Sequence, residues 1–142
     1  MNIRTVLVRL PRYIWAAPCS ATGLVIALFA VLLGAKAQVR DGTLQVVGGR
    51  LVKIISRLST RLSILAFTNG HVIFAINQTA MDSCRRHELV HVRQCECWGP
   101  LFPFLYFGSS LVQILKGRDP YFANWFEQEA RKVDESILDG ND

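Results

Sequence analysis

The sequence of 142 residues contains no internal repeat, no low-complexity tract and no Cys-x-x-Cys pair. The missing repeat argues against a solenoid. Because 51% of the residues are hydrophobic and only 19% are charged, the chain is not expected to be disordered. Its four cysteines, Cys19, Cys84, Cys95 and Cys97, lack the pattern of a secreted disulfide framework, so we expect free thiols. A chain of this length predicts one compact folded domain.

Acidic residues are also few, with 11 Asp and Glu against 16 Lys and Arg, which gives a net charge of +5. No nucleic-acid-binding motif accompanies this charge, so we do not expect nucleic acid as a partner. Arginines and lysines flank an apolar segment near the N-terminus, and anionic lipid headgroups attract basic residues in such positions. Membrane lipid is therefore an expected partner.

The apolar segment covers residues 16–35, none of which is charged. Twenty helical residues span about 30 Å, the thickness of a hydrocarbon core. Tyr13 and Trp15 precede the segment, as aromatic residues do at membrane interfaces. The sequence therefore predicts an N-terminal membrane segment, 1–36, that anchors a domain at 37–142 by a single transmembrane helix.

Two alternatives to a retained anchor remain open. The small-x-small pattern at 35–37 is compatible with a cleaved signal peptide, which would leave a secreted protein. The apolar helix could also be a buried core helix. Basic residues on its two sides are balanced, so the side of the membrane that holds the domain also remains open.

The region after the apolar segment has the features of short strands. Residues 43–47 and 51–55 are rich in β-branched side chains, and each follows a turn signal. Residues 63–68 and 71–76 flank Asn69-Gly70, a pair that favours a type I′ hairpin turn. We expect a small antiparallel sheet.

The pattern becomes helical after the hairpin. The first helix is predicted to begin at a cap formed by Asp82 or Ser83 and to end near Trp98, before Gly99-Pro100. The second covers 101–116, and the third runs from near Pro120 to about Leu138.

Residues 87–91 read His-Glu-Leu-Val-His within the first of these helices. Residues four apart lie on one face of a helix, so His87 and His91 can bind the same Zn²⁺ ion. Glu88 lies one step further round the helix, where it can act as a general base towards a zinc-bound water. The motif predicts a zinc-dependent metallohydrolase.

A catalytic zinc site requires a third protein ligand. The candidates are Cys97, Asp119, Glu127 and Glu129. Helical periodicity favours Glu129, which lies closer to the apolar face of the third helix. Residues 127–130 match the Glu-x-x-Ala pattern of glutamate zincins, so we select Glu127 and keep Glu129 as the alternative.

Several segments resemble a group of short, largely uncharacterised bacterial zinc metallopeptidases. They are 70–73, 87–94, 98–102, 117–121 and 124–131, together with the start of the apolar N-terminal segment around Trp15 and Pro18. Trp125 replaces the proline that is usual in this group, and Cys95 and Cys97 also depart from its pattern. The resemblance implies a gluzincin-like hydrolase. Together with the pattern analysis it predicts an α+β fold: the transmembrane helix, the small antiparallel sheet and a zincin-like bundle of about three helices.

Four further residues are candidates for contacts with the substrate or the ligands: His71, Gln94, Tyr121 and Arg131. His71 and Tyr121 could contact the substrate, Gln94 could hold a metal-binding histidine, and Arg131 could orient Glu127. Each has a purely structural alternative.

The predicted function is that of a membrane-associated zinc peptidase with a peptide or protein substrate. The alternatives are a non-catalytic zinc-binding membrane module and a hydrolase of a non-peptide amide or ester. The oligomeric state remains open.

Overall fold

The structure, a computed structural model, describes the backbone of residues 3–58 and 65–138, and its mixed α+β architecture confirms the predicted fold class. The helices are α1 (Ile3–Leu32), α2 (Gly49–Leu58), α3 (Gln78–Trp98), α4 (Phe102–Leu115) and α5 (Trp125–Leu138), and a 3₁₀ turn (Gly99–Leu101) joins α3 to α4. The strands are β1 (Lys36–Arg40), β2 (Thr43–Val47), β3 (Ala66–Asn69) and β4 (Val72–Ala75).

The four strands form one sheet in the order β1-β2-β4-β3. The pairs β1/β2 and β3/β4 are antiparallel, but β2 and β4 are parallel, so the sheet is mixed rather than antiparallel throughout. The chain between β2 and the β3–β4 hairpin contains α2, which belongs to the crossover that a parallel pair requires.

The prediction of a strand at 51–55 is wrong, because these residues lie in α2. Val52 is buried in the core, whereas its neighbours Lys53 and Ile54 are exposed. One buried face on a charged segment suits an amphipathic helix, and this packing overrides the β propensity of Val and Ile.

The two hairpin turns differ in type. Asp41 and Gly42 both have positive φ, as in a type I′ turn. In the second hairpin Asn69 pairs with Val72, so the loop is Gly70-His71 rather than Asn69-Gly70. Only Gly70 has positive φ there, which fits a type II′ turn and corrects the predicted type I′. The first residues of the predicted strand 63–68, Ser63 and Ile64, lie outside the described residues.

The helix α3 begins earlier than predicted. Asn77 is its N-cap, and the Asn77 side-chain oxygen accepts a hydrogen bond from the amide of Ala80 at 2.8 Å. The predicted caps, Asp82 and Ser83, lie inside the helix, where the Ser83 hydroxyl donates to the carbonyl of Thr79. Asn is as good a cap as Asp or Ser, so residue type alone did not distinguish the positions.

The helix α5 begins later than predicted, at Trp125 rather than near Pro120. Residues 120–123 form turns, and the Asp119 carboxylate accepts hydrogen bonds from the amides of Tyr121 and Phe122. Asn124 is fully buried, and its side-chain oxygen accepts from the amide of Phe126 at 2.9 Å. This contact caps the first turn of α5.

Helices cover both faces of the sheet. On one face, Val72 and Phe74 share a core cluster with Ala27 and Ala30 of α1. On the other, Ile73 and Ala75 share a cluster with residues of α3. Alternate residues of β4 point to opposite faces, so this strand belongs to both cores.

The inner face of α1 consists of small buried residues: Ala16, Cys19, Gly23, Ala27 and Ala30. A methyl group at Gly23 would collide with the carbonyl oxygen of Asn69, so the helix lies very close to the β3–β4 hairpin. The predicted boundary after residue 36 falls at the first residue of β1, and α1 packs against the elements that follow it.

The outer face of α1 is apolar and exposed. Leu24, Leu28 and Leu32 are each more than half exposed. Residues 11–32 form a helix that is long and apolar enough to cross a membrane. By length and composition, α1 therefore meets the requirement for the predicted transmembrane helix.

Candidate metal centre

Three side chains from two helices converge on one point. His87 and His91 project from α3, and Glu127 projects from the first turn of α5. The His87 and His91 Nε2 atoms lie 3.3 Å apart, and each lies close to a different Glu127 oxygen, at 3.1 and 3.3 Å respectively. All three ligand atoms lie within 4.8 Å of one another, so this group could hold a metal ion.

These separations fit a tetrahedral shell. With metal–ligand bonds of about 2.0–2.1 Å, neighbouring ligand atoms lie about 3.3–3.4 Å apart. The three observed distances of 3.1, 3.3 and 3.3 Å differ little from that value. The two Glu127 distances involve different carboxylate oxygens, so the three side chains lie at about the spacing of such a shell, with either Glu127 oxygen near a histidine.

The hydrogen bonds around His91 favour a cation at this point. The Gln94 amide nitrogen donates to the carbonyl of Phe126 and to Glu129, so the Gln94 oxygen faces His91. That oxygen only accepts, so His91 must donate from Nδ1, at 2.8 Å. A neutral His91 would direct the lone pair of Nε2 towards the carboxylate and the other imidazole, whereas a protonated His91 donates from Nε2 to Glu127. Converging lone pairs repel unless a proton or a metal ion lies between them.

Glu127 rather than Glu129 lies at the histidines. Glu127 is buried, whereas Glu129 is exposed. Burial alone would raise the pKa of Glu127, but its hydrogen bonds with His87 and His91 outweigh that effect and hold the pKa well below the ordinary value. The Tyr106 hydroxyl of α4 also donates to Glu127 Oε1, at 2.6 Å. The carboxylate is therefore held in its charged, ligating form.

Glu88 is buried beside this group without being one of its three members. The Thr68 hydroxyl of β3 donates to Glu88 Oε2 at 2.7 Å, which fixes the carboxylate from the sheet side. Burial is the main cause that raises the pKa of Glu88 above its ordinary value. A carboxylate with a raised pKa is better suited to accept a proton near neutral pH.

A cavity of about 590 Å³ adjoins the group, and His87, Glu88, His91 and Glu127 all contribute to its wall. The remaining wall comes from α1, from the edge strand β3, from the 3₁₀ turn and from α4. This volume lies within the range of pockets that bind small molecules or a few residues of a peptide.

His71 lies outside the wall of this cavity, and its contacts favour the structural alternative over a substrate contact. Its Nδ1 lies 2.9 Å from the Ser20 hydroxyl, and its Nε2 lies 3.2 Å from Glu96 Oε1. The ring also stacks on Tyr13, with centroids 4.2 Å apart. These contacts join α1 to the hairpin and to α3, so the role of His71 is structural.

The other predicted contacts are placed as follows. Gln94 holds His91, as described above, and Tyr121 lines the cavity. The Arg131 guanidinium lies over the Phe122 ring and donates to the Phe122 carbonyl. Arg131 therefore orders the turn before α5, and its orienting of Glu127 remains a prediction.

Sequence reasoning missed Tyr106 and Thr68. Tyr106 is the only tyrosine in the apolar run 101–115, and a buried phenol requires a hydrogen-bond partner, so its position could have indicated a contact with the site. No local signal marks Thr68, because its contact with Glu88 depends on how the sheet packs against α3.

Comparison with known proteins adds no relative. No protein-family model, no curated protein and no solved structure matches this chain.

Proposed function

We propose that this protein is a membrane-bound, gluzincin-like zinc metallopeptidase. The observation that carries the proposal is the convergence of Glu127 with His87 and His91, 3.1–3.3 Å from their Nε2 atoms, on the wall of a cavity that also contains Glu88. Two imidazoles and one carboxylate are a donor set typical of catalytic zinc. Zinc bound there would polarise a carbonyl group and lower the pKa of a bound water.

Glu88 would move the proton in this reaction. The Thr68 hydroxyl donates a hydrogen bond to Glu88 Oε2. The other oxygen, Oε1, would take a proton from the attacking water and return it to the departing amine. Thr68 positions the base, while Tyr106 and Gln94 hold the ligands Glu127 and His91. Such supporting contacts orient metal ligands.

The sheet supports a peptide substrate. The strand β3 is at the edge of the sheet, and its residues 66–69 line the cavity. An extended peptide can pair with an exposed edge through backbone hydrogen bonds, which would place one of its carbonyl groups near the ligands.

A non-catalytic zinc-binding module is the main alternative. Structural zinc sites have four protein ligands, as a rule. Among the described residues, 3–58 and 65–138, the group contains three ligands and adjoins a cavity, which supports the catalytic assignment. Hydrolysis of a non-peptide amide or ester uses the same residues, so only substrate profiling distinguishes it.

The membrane part of the proposal rests on α1. Its apolar outer face would contact lipid, and its inner face packs against the core through Ala27 and Ala30. Cleavage as a signal peptide at 35–37 would remove this helix and uncover Val72 and Phe74. The packing therefore supports a retained anchor.

The first experiment is the zinc stoichiometry of detergent-purified protein. We expect about one zinc per chain in the wild type and in Glu129→Ala, and none in Glu127→Ala, because only Glu127 meets the histidines. Glu129→Ala is a matched control on the same helix. Loss of zinc in Glu129→Ala alone would reassign the ligand, and a wild type without zinc would refute the proposal.

The second experiment separates catalysis from metal binding. Zinc-loaded wild type and Glu88→Gln are compared on a broad peptide library, together with amide and ester substrates. Cleavage of peptides by the wild type alone is expected. A wild type that holds zinc but cleaves no substrate would support the non-catalytic module instead.

A further inference from the structure

The helix α4 exposes apolar side chains over most of its circumference. No residue from 102 to 115 is charged. Phe104 is 76% exposed and Leu115 is 79% exposed. Other large apolar residues of the helix are also exposed: Leu105, Phe107, Leu111, Val112 and Ile114. Such a continuous surface is unusual for a protein that only water surrounds.

The polar side chains of α4 point inward. The Tyr106 hydroxyl donates to Glu127. The Ser109 hydroxyl accepts from the amide of Trp125, and the Ser110 hydroxyl accepts from the side chain of Asn124. The helix therefore directs these partly buried hydrogen-bonding groups towards the protein and exposes most of its large apolar side chains. This pattern is the inverse of a water-exposed amphipathic helix, and it is expected where lipid replaces water.

Length and charge indicate how α4 would meet a bilayer. Its 14 residues are about 21 Å long, too short to cross a hydrocarbon core of about 30 Å. Lys116 and Arg118 follow the helix and are exposed, where they can contact anionic headgroups. The helix α1 lines the same cavity as α4 and has its own exposed apolar face, so both helices can enter the same membrane.

The cavity opens between these two helices. Three residues both line the cavity and are exposed: Pro18 and Thr22 of α1, and Phe107 of α4. The rim of the cavity is therefore continuous with the apolar outer faces of α1 and α4.

We propose that α4 inserts into the bilayer beside α1 and that the cavity opens towards lipid, so that its substrates are apolar, membrane-embedded polypeptide segments. The assignment of the substrate class rests on the proposed peptidase function, whereas the insertion of α4 does not. An apolar segment could then move from the bilayer to the edge strand β3 without passing through water.

Insertion is tested first by site-specific fluorescence. In a background with Cys84 and Cys97 replaced by serine, a bimane label is placed at Phe104→Cys on α4 or, as a control, at Val39→Cys on β1. Val39 is 80% exposed and lies on the same strand as Lys36 and Arg40, so it is an apolar surface site in a charged setting. The protein is reconstituted into phosphatidylcholine/phosphatidylglycerol vesicles that contain doxyl-labelled acyl chains.

We expect the label at position 104 to be quenched several-fold more strongly than the label at position 39. Equal quenching at the two sites would overturn the proposal. Coverage of α4 by a second copy of the chain would also overturn the proposal. In that case the label at position 104 would be protected from doxyl quenching only at high protein-to-lipid ratios.

The substrate class is tested with one cleavable sequence presented in two ways, as a soluble peptide and joined to an apolar transmembrane segment in the same vesicles. We expect the embedded form to be cleaved at least about tenfold faster. Equal rates would overturn the substrate assignment and leave the peptidase function intact. If zinc-loaded protein cleaves neither form, the peptidase function is refuted, and the substrate class with it. The doxyl quenching would still decide whether α4 inserts into the bilayer.

Discussion

The adjacent helices α3 and α4 expose opposite kinds of side chain. On α3, Met81 and Val92 pack in the core, and Arg86 and Arg93 are exposed. On α4, the hydroxyls face the protein and the apolar side chains face outward. The hydrophobic effect drives apolar groups away from water, so a helix with this inverted arrangement is expected in contact with lipid. The exposed faces of the two helices therefore indicate different surroundings, water at α3 and lipid at α4.

The two helices also contribute differently to the site. The candidate ligands His87 and His91 and the proposed base Glu88 are on α3, within about one turn. The helix α4 contacts this group through the Tyr106 hydroxyl, which donates to Glu127, and through the rings of Phe102 and Tyr106 beside His91. We infer that α3 carries the chemistry, while α4 supports a ligand and forms the lipid-side wall of the cavity.

The largest effect is expected at Glu88. Glu88→Gln removes the proton acceptor but keeps the size and burial of the side chain, so peptide cleavage should fall by about 10²–10⁴-fold. Zinc content should not change, because Glu88 is not one of the three ligands. Rates and zinc content are measured on the same preparation. Unchanged cleavage would show that another group takes the proton.

A core substitution on α3 should affect stability far more than an outer substitution on α4. Met81 is fully buried, so Met81→Ala should lower the free energy of unfolding by about 2–5 kcal/mol. Leu115→Ala, at a residue 79% exposed, should change it by less than about 0.5 kcal/mol. Chemical unfolding in one detergent measures both. A similar loss for both variants would show that α4 is packed more tightly than its exposure indicates.

Tyr106→Phe tests the support that α4 gives to the metal site. It removes one hydroxyl and the hydrogen bond to Glu127, so zinc affinity should fall by about 10–100-fold. Phe104→Leu, on the outer face of the same helix, is the matched control and should leave the affinity unchanged. Competition with a zinc chelator gives both values. An unaltered affinity in Tyr106→Phe would mean that α3 and α5 alone hold the carboxylate.

The smallest effect is expected at the start of α3. Asn77→Ala removes the cap on the Ala80 amide and should lower stability by about 1 kcal/mol. Ser83→Ala, at the position predicted as a cap, should have almost no effect because Ser83 lies inside the helix. Unfolding midpoints distinguish the two. A larger loss for Ser83→Ala would place the start of the helix where the sequence predicted it.

Several parts of the fold were predictable because their signals are local. The β3–β4 hairpin and the end of α3 at Gly99 follow from turn chemistry and positive φ. The segment 51–55 was misassigned because its β-branched residues favour a strand. The same residues can also form one apolar face of an amphipathic helix, as they do in α2. The parallel pairing of β2 with β4 could not be predicted, since pairing depends on the path of the crossover.

The sequence by itself determined the pair His87 and His91 with Glu88 beside them, because helical spacing places residues four apart on one face. It also determined that α1 is long and apolar enough for a membrane. Only the tertiary structure decided between Glu127 and Glu129, since the packing of α5 against α3 brings Glu127 to the histidines although it lies 36 positions after His91 in the sequence. It alone gave His71 a structural role and brought Thr68 and Tyr106 to the site, because contacts between distant segments depend on packing that no local pattern encodes.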